Sequence, residues 1–144
     1  MKSVFPLFFL FIVFGSCNKK SHDGSFEENS KSIEGLWELR KTSSMLVSDY
    51  PPGNGRTIKF TGNKYEMREN GQITQSGDFS IIADSTASES TCLNIAAGQY
   101  AYRIMYGINI SGRKVFLQLT GDTLTFISGC FAVDAGVALT YERL

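Results

Sequence analysis

From residue 33 to the C-terminus, apolar and polar residues alternate in short runs, and most runs end at a turn-forming pair. A period of two puts successive side chains on opposite faces of a strand. Residues 33–41 read as the first strand, with Trp37 and Leu39 on one face and Glu38 and Arg40 on the other. A long polar loop follows through Pro51-Pro52-Gly53-Asn54-Gly55. Residues 56–61 alternate with Ile58 and Phe60 inward, and residues 64–69 with Tyr65 and Met67 inward. The pairs Gly62-Asn63 and Asn70-Gly71 are hairpin signals, the second being the stronger because both its residues tolerate positive φ. Residues 73–82 place Ile73, Gly77, Phe79 and Ile81 on one face. A glycine in mid-strand marks a bend such as a small barrel needs at its corners.

The second half of the chain is less regular. A Ser-rich loop leads into an expected strand over 91–97, and residues 100–110 read as a long strand. Residues 114–119, with Leu117 and Leu119, and 123–127 flank the turn pair Gly121-Asp122. The last strand spans 136–143, with Val137, Leu139 and Tyr141 on one face. No segment keeps a 3.6-residue period over three turns, so helix is confined to a short piece within 42–52 or 131–136. The expectation is an all-β fold: an up-and-down antiparallel barrel of eight to nine strands. Closing the sheet removes edges that would otherwise pair with other chains.

The N-terminus follows a different logic. Lys2 precedes an uncharged run over 4–14, and Gly15-Ser16-Cys17 comes next. Such a run is too short to span a bilayer, which takes roughly 20 apolar residues, and it suits the core of a signal peptide. A cysteine directly after a small pair resembles the bacterial lipobox. That resemblance implies cleavage before Cys17, diacylglycerol on its sulfur and acylation of the new amino terminus, with Phe14 standing where an aliphatic residue is usual. Residues 1–16 are then a lipoprotein signal peptide, 17–32 a lipidated N-terminus and polar tether, and 33–144 the barrel domain. The tether has neither hydrophobic period. The expected location is the cell envelope, lipid-anchored at the outer membrane and facing the periplasm or the surface, with the membrane as partner through the anchor.

Composition narrows the function. Lys2 leaves with the signal, so 13 basic residues face 14 acidic ones in the mature chain, a net charge of −1. No basic stripe is present, and nucleic acid is not an expected partner. With Cys17 acylated, Cys92 and Cys130 remain, either as a disulfide permitted by an oxidising compartment or as two separate buried thiols. The chain's one histidine is His22, in the tether, so His-based triads and His metal sites are not expected in the domain. Phosphate loops, nucleophile elbows and dinucleotide fingerprints do not occur. Asp78, Asp84 and Asp122 read as solvated turn carboxylates. No catalytic residue, no metal and no cofactor are expected, and the chain does not read as an enzyme.

Gly35-Leu36-Trp37 at the first strand resembles the Gly-x-Trp signature of lipocalins. Together with the hairpin order, Gly77 before Phe79 and the closing Tyr141-Glu142-Arg143, the chain from 33 to 144 resembles the lipocalin-like lipoproteins of Bacteroidota-type bacteria. The resemblance implies that Trp37 closes the barrel floor and that Arg143 packs on its ring. It also implies a small hydrophobic or amphipathic ligand in the barrel. The inward residues Trp37, Leu39, Ile58, Phe60, Tyr65, Met67, Phe79, Ile81, Leu117, Leu119 and Tyr141 are candidates to line such a site or to fill the core. The alternative function is an interaction or inhibitor module with a filled core, presenting loops 42–55 and 84–90 to an envelope partner that the sequence does not identify.

Overall fold

Alternation and hairpin turns generate nine strands in a computed structural model, which describes residues 33–107 and 112–144. They are β1 (Gly35–Ser43), β2 (Val47–Asp49), β3 (Arg56–Thr61), β4 (Lys64–Glu69) and β5 (Gln72–Ala83), then β6 (Tyr102–Tyr106), β7 (Val115–Thr120), β8 (Thr123–Ser128) and β9 (Val137–Arg143). Every neighbouring pair is antiparallel, and β1 also pairs with β9 from Trp37↔Arg143 to Ser43↔Ala138. Eight strands therefore close into a barrel. The ninth, β2, is an extra strand paired with the far end of β1. The signal segment, Cys17 and the tether lie outside the described residues.

The register follows the sequence pattern most closely in β3 and β4, whose ladder runs unbroken from Arg56↔Glu69 to Thr61↔Lys64. Asn70 and Gly71 both have positive φ, 50° and 81°, as the turn between β4 and β5 requires. β1 carries a bulge at Arg40, between the pairs Leu39↔Tyr141 and Lys41↔Thr140. A bulge adds one residue to a strand and bends it, which helps a sheet to curl.

Three expectations change. Residues 91–97 are not a strand. A short helix, α1 (Ala87–Thr91), ends at Cys92 in the left-handed region, and a loop follows. The reason is long-range: Ala87 packs on Phe116 and Ile127, apolar residues on the outer face of β7 and β8, and Cys92 is disulfide-bonded to Cys130 (Cα–Cα 5.0 Å). The long strand expected over 100–110 is limited to β6, with 108–111 outside the described residues. The 42–52 segment contains a strand, β2, where a helix was the option, and 131–133 form a 3-10 turn.

Candidate functional site

An up-and-down barrel has two distinct ends. The hairpins β3–β4 and β7–β8 share one end with Ile33 and Glu34, called here the lower end. The β1–β3, β4–β5, β6–β7 and β8–β9 connections share the upper end, with 108–111 of the β6–β7 connection outside the described residues.

The lower end is plugged on the side of β1, β3 and β9, while a crevice opens on its β5–β7 side beside Tyr100 and Tyr102. Trp37 is fully buried, and its indole Nε1 donates to the Ile33 carbonyl at 2.8 Å. The Arg143 guanidinium carbon lies 4.1 Å from the Trp37 ring centroid. A cation over an indole face is drawn to the ring quadrupole. Arg143 is held there by donation to the Glu34 carbonyl at 2.6 Å and to Asp122 Oδ1 at 3.2 Å. Gly35 makes room for it: with φ at 131°, a Cβ on residue 35 would stand 2.8 Å from Arg143 Nη1. The glycine and the tryptophan of Gly-x-Trp thus serve one plug. Above it, Phe60 and Phe79 meet edge to face at 4.9 Å.

The upper end is open. A cavity of about 140 Å³ lies among Ile58, Met67, Tyr106, Val115, Phe126, Ser128, Val137, Leu139 and Tyr141. A shallower groove of about 320 Å³ shares Met67 and Tyr141 with it and continues to Leu39, Arg56, Thr57, Arg68, Glu69 and Thr74. The result is an apolar cup with a polar rim. Its polar interior groups are phenols. Tyr65 and Tyr106 rings meet at 4.6 Å, and Gln75 Nε2 donates to the Tyr65 hydroxyl at 2.8 Å. Burial pushes the Tyr106 phenol well above the usual tyrosine range, and the neighbouring Tyr141 and Tyr65 phenols add to the rise. Burial pushes Tyr141 up to about 12. Both hydroxyls therefore stay protonated at neutral pH and remain able to donate.

The inward residues expected from the sequence are placed as follows. Trp37, Leu39, Ile58, Phe60, Tyr65, Phe79, Ile81, Leu117 and Tyr141 are buried in one cluster, with Met67 and Leu119 half-buried against it. Ile58, Met67 and Tyr141 line the cup, and Leu39 lines the groove. Trp37, Phe60, Tyr65 and Phe79 fill the barrel, and Ile81, Leu117 and Leu119 border a second opening. Tyr106, Val115, Phe126 and Ser128 line the cup but were not among the expected residues. Their signal was available in the alternation, since Val115 shares a face with Leu117, two residues away. Ile81, Tyr102, Leu117 and Leu119 border a separate crevice of about 320 Å³ beside Tyr100, which shares no lining residue with the cup.

Two outer-wall carboxylates are held by several donors, and one of them, Asp84, departs from the solvated reading. Glu38 is 3% exposed. It accepts hydrogen bonds from the Gly53 and Gly55 amides at 2.9 and 3.2 Å and from Arg40, whose Nε also donates to Glu142 at 2.9 Å. Burial alone would raise the Glu38 pKa, but these donors hold it below the usual carboxylate range. The carboxylate so fastens the 50–55 loop beside the rim. Asp84 is half-buried. Its Oδ1 accepts from the Thr86 amide and hydroxyl at 2.9 and 2.6 Å, and its Oδ2 lies 3.1 Å from both Arg103 Nε and Lys114 Nζ. Burial works against ionisation here too, yet the Thr86 and Lys114 donors bring its pKa down to about 2. Asp78 and Asp122 are exposed and paired with Lys64 and Arg143. Among the described residues, no group of three or more His, Cys, Asp or Glu could hold a metal ion.

No protein-family model, no curated protein and no solved structure matches this chain.

Proposed function

We propose that the barrel is the binding domain of a cell-envelope lipoprotein, a lipocalin-like lipoprotein in kind, and that its cup takes one small hydrophobic or amphipathic molecule. The observation that carries this reading is the apolar cavity of about 140 Å³ under a polar rim, at the barrel end opposite the Trp37–Arg143 plug. Its size is close to that of an engineered apolar cavity of roughly 150 Å³ that holds a benzene. An apolar ring or short branched chain fits the cup, and the Tyr106 and Tyr141 hydroxyls are placed to meet a polar substituent. The adjoining groove, with Arg56, Arg68 and Thr74, suits a longer polar end. A lipid at Cys17 is part of the proposal, and the lipobox-like Gly15-Ser16-Cys17 supports a barrel held on a tether at a membrane. In this reading the protein binds and presents its ligand and carries out no reaction on it.

Native mass spectrometry of the protein purified from its own envelope tests the proposal. The expected spectrum shows the barrel with one bound small molecule that is lost at higher collision energy. A spectrum of bare protein only, unchanged by added short-chain amphiphiles, overturns it.

A further inference from the structure

We infer that the upper rim docks on a lipid bilayer, so that the cup exchanges its ligand with the membrane directly. This deepens the binding reading and rests on it for the ligand, though the docking itself is a separate property. Three connections at the upper end expose large apolar side chains. Met45, Leu46 and Val47, at the tip between β1 and β2, are 74%, 78% and 60% exposed. Ile73, beside the β4–β5 turn, and Val133, in the β8–β9 connection, are also exposed. None of these five lines the cup or the groove. The lower hairpins turn through the polar pairs Gly62-Asn63 and Gly121-Asp122, and Leu36 and Leu144, exposed at that end, stand outside the turns.

The form of the patch favours a bilayer as its occupant. Its side chains project from three separate connections, and a fluid apolar phase accepts such tips without a matching shape. Two ion pairs lie on the rim, Arg56 with Glu69 and Arg68 with Glu66, both at 2.9 Å. The further rim charges Asp49, Arg113 and Asp134 are of both signs, so no basic patch stands there among the described residues. Docking therefore draws on apolar insertion and needs no anionic lipid. The length of chain preceding the barrel allows the required orientation. The barrel is entered at Ile33 on the lower end, and the residues back to Cys17 extend by roughly 50 Å at most. The nine residues of β1 rise by about 30 Å. A lipid at Cys17 thus leaves enough chain for the upper end to face the bilayer that holds the anchor.

The test uses the mature chain from residue 17 with Cys17→Ser, which removes acylation, and phosphatidylcholine vesicles in a flotation assay. The expected result is vesicle binding that persists at high salt and falls at least about tenfold in Met45→Ser/Leu46→Ser, since each apolar side chain withdrawn from lipid forfeits its transfer free energy. Absence of vesicle binding overturns docking, as does equal binding by the double variant. A vesicle-free dimer that the double variant dissolves also overturns it, because the patch would then belong to a second copy. Titration with 1-octanol in vesicle-free buffer reads the cup separately. Octanol bound equally by both proteins supports the cup while the vesicles judge docking. Docking without octanol binding removes the ligand reading and the exchange, and leaves the membrane surface standing.

Discussion

The two ends of this barrel are made from the same strands and the same alternation, yet they differ in almost every physical respect. At the lower end, Trp37, Arg143, Gly35 and Ile33 interlock, and the turns outside them are polar. At the upper end, no side chain of tryptophan size stands among Val115, Ser128, Val137 and Leu139, so a cavity remains, and apolar tips surround it. The comparison teaches that closure of a small barrel is a local matter. One large ring and one cation suffice to plug one side of an end, and smaller residues at the same facing positions leave a cup. It also assigns the tasks: stability resides at the plugged end, and recognition is free to use the other.

The strongest challenge to that division is Trp37→Ala. Removing a fully buried ring should cost about 3–5 kcal/mol and strand Arg143 without its stacking partner. Chemical denaturation measures it, and a loss under 1 kcal/mol would mean that the lower end is not where the fold is secured. A smaller effect is expected on the outer wall. The Asp84 carboxyl falls from 3.8 to about 2 in the folded protein, so its contribution is complete above about pH 4 and fades as pH falls through 2. Asp84→Asn should cost about 2 kcal/mol at pH 7, with the difference from the native protein disappearing near pH 2. Denaturation curves for both proteins across that range check the sign, and a difference that grows on acidification would contradict it. The smallest effect is expected at the upper tip. Leu46→Ser should leave unfolding free energy within about 0.5 kcal/mol, because the side chain is already in water. A larger loss would show that the tip packs against the fold and is not available to a membrane.

Much of the barrel was legible because its determinants are local. The bounds of β3 and β4 follow from Ile58, Phe60, Tyr65 and Met67 alternating between recognisable turn pairs. The miss at 91–97 has a physical cause. Thr91-Cys92-Leu93-Asn94-Ile95 alternates well enough for a strand, but Phe116 and Ile127 on the outer wall and the bond to Cys130 decide its conformation from far along the chain. The burial of Glu38 was not legible for a similar reason. An outward carboxylate looks solvated until a loop fifteen residues later places two amides on it. The plugging pair Trp37 and Arg143 was readable from Gly-x-Trp and the last strand. The cup was not, because the pattern tells which residues face inward and not whether their volumes fill the space.

The most direct test is a map of amide chemical shifts in the ¹H–¹⁵N spectrum during titration with 1-octanol. The account predicts saturable shifts at Tyr106, Val115, Ser128, Leu139 and Tyr141, with Gly62 and Gly121 at the plugged end unmoved. Shifts confined to the crevice beside Tyr100, or spread evenly over both ends, would contradict it.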